Sequence, residues 1–165
     1  MPTRTGLTAA LACLALVAAA GCGGDDESGG ALSKAEYREQ GNAICKDALS
    51  EAEGIPLPTS PEGIADYLEK VFDSVEKAND EFVELEPPEA LRADHERAVE
   101  LTEESEQATD KLVERVRDAS DPQAAVQREF RKLGPLLARG EKVNARLGLD
   151  DCNRVGPPTE QPAPS

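Results

Sequence analysis

Tryptophan is absent from this 165-residue chain, and two tyrosines and three phenylalanines are its only large aromatic side chains. Any core must therefore be assembled from Leu, Val, Ile and much Ala, which carry less buried area per residue than aromatic rings. Histidine occurs once, at position 95. A lone His95 excludes the paired Glu-x-x-His motifs of a ferritin-like dimetal centre, and Arg92 stands where the glutamate of even one such motif belongs. No Cys-x-x-Cys pair offers another metal site, so no metal and no cofactor are expected. Basic residues are scarce as well: 18 Lys and Arg face 33 Asp and Glu, for a formal charge of -15. Such a chain is repelled by nucleic acid and by anionic lipid head groups, so no nucleic-acid partner is expected. Long apolar runs are missing except for Leu7 to Ala20, and 14 residues fall short of the ~20 needed to span a bilayer.

That one run sits where a processing signal would. Arg4 gives a small positive start, the apolar segment follows, and Val17-Ala18-Ala19-Ala20-Gly21-Cys22 places small residues before a cysteine. The stretch resembles the bacterial lipobox, with Ala20, Gly21 and Cys22 in register and Ala19 where leucine is commonest. The resemblance implies a signal peptide over residues 1–21, cleavage before Cys22, and a diacylglyceryl group on its thiol. Two acyl chains anchor stably where one does not, so the implied location is the extracytoplasmic face of the cell membrane, with palmitate-type chains as the anchor. Ordinary secretory cleavage after an Ala-x-Ala such as Ala18 to Ala20 is the competing reading. Loss of residues 1–21 removes Arg4 and no acid, which makes the charge one unit more negative.

Cysteine arithmetic favours the lipobox. Cys13 leaves with the signal and Cys22 takes the lipid, so Cys45 and Cys152 remain as the only pair available for a disulfide outside the cytoplasm. Ordinary cleavage would instead leave Cys22 as an odd thiol.

Residues 22–30 read as a flexible acidic tether rich in glycine. Its Asp25-Asp26-Glu27 run is more simply a solvated spacer than a calcium site. The folded domain is expected over residues 31–152. Ser33-Lys34-Ala35-Glu36 has capping-box form, and Leu32 and Tyr37 take the two positions of a hydrophobic staple. Tyr37, Gly41, Ile44, Cys45, Ala48, Leu49 and Ala52 then make one helical stripe, which Gly54 and Ile55-Pro56-Leu57-Pro58 terminate. Ser60-Pro61 restarts the chain. Ile64, Tyr67, Leu68, Val71, Phe72, Val75, Ala78, Phe82 and Leu85 form the most regular apolar face, with Asp66–Lys70 and Asp73–Lys77 spaced for pairing on the outer one. Glu86-Pro87-Pro88 ends that helix.

The third helix is expected from the proline pair to about Ala119. Its inward positions begin with Leu91, His95, Ala98 and Leu101 and end with Leu112 and Val116, but the middle of the stripe is Thr102, Ser105, Ala108 and Thr109. Two readings of this polar seam stay open: small residues for close backbone approach, or the lining of a wet ligand pocket, with His95, Thr102, Ser105 and Thr109 as its side chains. Asp121-Pro122 opens a fourth helix in which Val126, Phe130, Leu133, Leu137, Gly140, Asn144 and Leu147 alternate four and three apart. The stripe runs straight through Gly134-Pro135, which predicts a kinked but continuous helix. Gly148 is placed to close it in the left-handed conformation, with Leu149 folding back. Residues 153–165, with four prolines, read as a disordered tail.

Four amphipathic helices with short connectors predict an all-α, up-down antiparallel four-helix bundle. In that topology the last helix ends beside the start of the first, which lets Cys152 meet Cys45. The Asn42-Ala43-Ile44-Cys45 segment, the Leu85-Glu86-Pro87-Pro88 break and the closing Gly148-Leu149-Asp150-Asp151-Cys152 resemble a group of small secreted or lipid-anchored helical proteins of high-GC Gram-positive bacteria. That resemblance implies no activity for any residue. His95 has no nucleophile within reach on its own helix, since Ser105 lies about 15 Å further along; the simplest state for it is buried and neutral, and a pH-sensitive contact is the other. Glu100, Glu103, Glu104 and Glu106 read as a solvated face, or as a weak divalent-cation surface. The expectation is a lipid-anchored, non-enzymatic interaction or structural module that meets an envelope protein or polymer. The second expectation is an extracytoplasmic binding protein for a small solute or metal, using the polar seam.

Overall fold

A computed structural model describes residues 30–154. The proposed signal and nearly all of the tether, with Cys22, lie outside the described residues, as does the tail beyond Arg154. Four helices account for the described fold: α1 (Lys34–Glu53), α2 (Ile64–Val83), α3 (Arg92–Arg117) and α4 (Pro122–Leu147). Sequence neighbours pack side by side, α1 on α2, α2 on α3 and α3 on α4, which is the up-down bundle.

Local chemistry sets the boundaries. The Ser33 hydroxyl accepts from the amide of Glu36 at 3.3 Å, and the Glu36 carboxylate accepts from the amide of Ser33 at 2.9 Å, which completes the capping box. Asp121 caps α4 by accepting from the amide of Ala124 at 3.0 Å, and Pro122 occupies the first turn where it costs no hydrogen bond. Short 3-10 turns, Pro61–Gly63 and Glu89–Leu91, precede α2 and α3. They begin those helices later than the prolines suggest, and Leu85 falls just outside α2. α3 likewise stops at Arg117, two residues before Ala119. α4 runs unbroken through Pro135, which is exposed, so the amide it lacks is missing from the solvent side.

The core is built as the composition demands. Leu68, Leu91, Leu101, Leu112, Leu133, Leu136, Leu147 and Leu149 are buried with four valines and alanines at the helix contacts, Val113, Val116, Ala98 and Ala125; Tyr37 and Phe82 are its buried aromatic residues. On α4 the most buried side chains are Ala125, Glu129, Leu133, Leu136, Val143 and Leu147, whereas Val126, Phe130, Leu137, Gly140 and Asn144 are half-buried. The face turned to the core is thus rotated from the expected stripe. The reason is that α4 packs on α3 but makes little direct contact with α1. The expected pairs within α2 are replaced by pairs between helices: Lys77 meets Glu51 of α1 at 3.5 Å, and Asp66 and Glu69 meet Arg117 of α3 at 3.5 and 3.0 Å.

α1 and α4 are joined at one end. Gly148 closes α4 at φ 79°, a left-handed position suited to glycine, and the Leu149 amide donates back to the Asn144 carbonyl at 2.9 Å. Leu149 is then fully buried against Gly41, where an added Cβ would lie 2.6 Å from its Cδ2. Asn42 spans the junction: its Nδ2 donates to the Gly148 carbonyl at 3.0 Å, and its Oδ1 accepts from the Asp151 amide at 2.9 Å. Arg38 donates to the Leu147 carbonyl at 2.9 Å. A last 3-10 turn, Asp151–Arg154, brings Cys152 into a disulfide with Cys45 across 107 residues of chain. Asn153 and Arg154 therefore belong to the fold and not to the tail.

Two outcomes test this junction. Reduction should lower the melting temperature by ~10–20 °C, from a chain-entropy ceiling of ~4.7 kcal/mol, while helicity in the cold is retained; an unchanged melt would show that the staple contributes nothing. Asn42→Ala should cost about 1–3 kcal/mol in denaturant titration, because it strips a carbonyl and an amide of their partner together.

Candidate functional site

The separation of α1 from α4 opens a groove of about 800 Å³ that all four helices line. Its apolar surface comes from Ala48 and Leu49 of α1, Val75, Ala78 and Phe82 of α2, Ala98 and Leu101 of α3, and Leu136, Leu137 and Val143 of α4. The Cys45–Cys152 bridge and Leu149 sit in the wall at the junction end. Polar groups are few: Asn79, Thr102, Ser105, Asn144 and Asn153, with Glu53, Glu141 and Arg154 as the charged members. The volume falls in the range of small-molecule sites, ~300–1,000 Å³.

The four residues of the expected seam part company. Thr102 and Ser105 line this groove. Thr109 lies one turn further on and lines a second, acidic groove of about 530 Å³ between α2 and α3, with Glu69, Asp73, Glu76, Glu103, Glu106, Asp110 and Glu114 around it. The Thr102 hydroxyl donates to the Val99 carbonyl at 2.7 Å, and that of Thr109 to the carbonyls of Ser105 and Glu106 at 3.1 and 3.0 Å. Both threonines thus satisfy themselves on their own helix, as side chains of this kind do. Of the acidic cluster, Glu100 pairs with Arg97, Glu104 with Arg139 at 2.6 Å, and Glu106 accepts from Asn79 at 2.8 Å.

His95 lines neither groove. It is buried at the junction end, where its Nδ1 lies 2.9 Å from the Tyr37 hydroxyl and its ring 4.9 Å from that of Phe82. Burial pushes its pKa below the ordinary value, against a smaller upward pull from Glu96. A neutral imidazole held between α1 and α3 is the resulting state. Tyr37 is its counterpart, and burial raises its phenol pKa. Among the described residues the hydrogen bond of His95 runs to a phenol, and no serine, cysteine or lysine completes a nucleophile–base pair with it.

Glu129 was not visible as a core residue, because the α4 stripe was drawn one position away, through Val126 and Phe130. Its carboxylate is buried and accepts from Arg115 Nη1 at 2.7 Å and from Lys132 Nζ at 2.7 and 2.9 Å, with Arg128 at 3.4 Å. Hydrogen bonds from Lys132 and Arg115 hold its pKa down to about 2. The signal available within α4 is Lys132, three residues on and so on the same helix face, whereas Arg115 comes from α3 and meets Glu129 only in the fold. Among the described residues no buried side-chain polar atom lacks a partner, and no three His, Cys, Asp or Glu side chains converge as a metal site. No described helix is long and apolar enough to cross a membrane. Comparison with protein-family models, curated proteins and solved structures gives no match for this chain.

His95 and Glu129 lose their contributions in different pH windows. His95 has a folded pKa below its unfolded value, so the unfolded chain takes up the proton first and stability drains as pH falls below ~6.5. Glu129, held down to about 2, contributes above the ordinary carboxylate range and loses that contribution as pH falls towards 2. In thermal melts, the gap between wild type and His95→Gln should narrow from pH 7 to pH 5. The gap to Glu129→Gln should persist there and narrow only below about pH 4.5. Gaps that stay constant from pH 8 to 3 would contradict both assignments.

Proposed function

We propose that this chain is a lipid-anchored protein of the cell envelope that works by binding and not by catalysis, with the groove between α1 and α4 as its working surface. The observation that carries the reading is the groove itself: two helices that complete a bundle are fastened at one end, and an apolar cleft of ligand size runs beside that fastening. The lipobox-like Val17-Ala18-Ala19-Ala20-Gly21-Cys22 supports the anchor, and the strongly acidic composition supports attachment through acyl chains in place of a basic patch. The bound component belongs to the envelope, a protein, a polymer or a smaller molecule. Ser105 favours the smaller molecule, since a hydroxyl in a largely apolar lining fixes orientation without adding charge.

Two measurements test the reading separately. Mass analysis of the natural product should find a diacylglyceryl group on Cys22, and Cys22→Ala should release the protein from the membrane fraction; an unprocessed start or a bare amino end would dispose of the anchor. A photo-crosslinking residue at Leu137, inside the groove, should capture a discrete envelope component that the same residue at exposed Glu114, beside the acidic groove, does not. Identical capture patterns at both positions would remove the groove as the working surface.

A further inference from the structure

Starting from the groove as binding surface, and resting on that reading, we infer that its ligand is an amphiphile with an acyl or alkyl chain and an uncharged polar head. The chain is set by the floor. Phe82, Leu101, Leu136 and Val143 are buried side chains of three helices that converge there, and none is polar. The cleft follows α1 from Cys45 to Glu53 and α3 from Ala98 to Ser105, which is a length of ~10–12 Å at the helical rise. That is the shape of an extended chain and too little for the face of a partner helix of several turns.

The head is set by charge. Glu53 and Glu141 line the groove, and neither has an ion-pair partner among the described residues. The one lining cation, Arg154, already pairs with Asp151 at 3.2 Å. A carboxylate or phosphate head would meet two carboxylates and an engaged guanidinium on a chain of charge -15, and would be repelled. The uncharged polar groups left to receive a head are the Ser105 hydroxyl and two amides: Asn144, which donates to Asn153 at 3.2 Å, and Asn153 itself, beside the disulfide. Amides both donate and accept, which suits hydroxyl, ester or sugar heads.

Gly140 gives a clean way to block the site. It lines the groove, and an added Cβ there meets no atom within 4 Å. Gly140→Phe therefore projects a ring into the cleft without disturbing packing and improves helix propensity at the same position. Titration calorimetry of the purified, disulfide-bonded chain, below the micelle concentration of each probe, should show saturable one-to-one binding of dodecyl maltoside. Dodecanoate, of equal chain length, should bind at least tenfold more weakly. Gly140→Phe should melt at the wild-type temperature and lose at least tenfold in affinity for dodecyl maltoside. Absence of saturable maltoside binding overturns the ligand class, equal affinity for dodecanoate overturns the head group, and unchanged binding by Gly140→Phe overturns the location. Failure of the ligand class is distinguishable from failure of the groove: in the first case Leu137 crosslinking still captures a component that Gly140→Phe abolishes.

Discussion

The fold depends on how little room remains between α1 and the turn that follows α4. Leu149 can be fully buried only because Gly41 presents no side chain to it. Gly148 can turn the chain back only because it is free to adopt a positive φ. Once the backbones are that close, Asn42 reaches a carbonyl and an amide of the returning chain, and Cys45, one turn along α1 from Gly41, meets Cys152. Steric fit, hydrogen bonding and a covalent bond thus act on the same few ångströms. For a bundle whose large aromatic side chains number five in 165 residues, concentrating restraint in one place offsets a core that buries little area per residue.

Fixing α1 at that end determines what happens at the other. Past Cys45 the helix is held by α2, with Lys77 meeting Glu51, and the Ile55-Pro56-Leu57-Pro58 connector carries the chain away. α4 meanwhile follows α3 along its whole length, drawn in by the Glu129 cluster and by Arg139 and Arg146, which reach Glu104 and Asp94. Each of the exposed ion pairs contributes little, ~0–1 kcal/mol. Their distribution matters more than their number, because none of them joins α1 to α4. Each of these helices is bound to its own sequence neighbour, and the cleft lies between.

Much of this was legible in the residues. Ser33-x-x-Glu36, Asp121-Pro122 and Gly148-Leu149 each carry a capping chemistry that has one structural outcome, and the helix starts and stops followed. The disulfide followed from topology, since an even helix count returns the last helix to the side of the first. The face of α4 did not follow, because periodicity locates an apolar stripe without saying which neighbour it meets. Leu137, Gly140 and Asn144 fit the stripe well, yet they face a neighbour that stands off, so they line a groove and stay half-buried. Glu129 escaped for the converse reason: a charge reads as surface until the bases around it are seen in three dimensions. The polar seam of α3 reads as one feature in the sequence, whereas Thr102 and Ser105 line the groove beside α1 and α4, and Thr109, a turn further on, lines the acidic groove between α2 and α3.

The surroundings of the seam bear on both alternatives that the sequence poses, close packing and a wet pocket. Thr102 donates to its own helix at Val99, so its hydroxyl is already satisfied where it lines the groove. Ser105 and Ala98 on the same face are small and line the groove beside Phe82 and Leu101. The middle of α3 is therefore polar by composition and largely apolar in what it offers. A stretch poorly suited to a core is suited to the floor of the groove we propose as the binding surface, where small side chains leave space and add no charge.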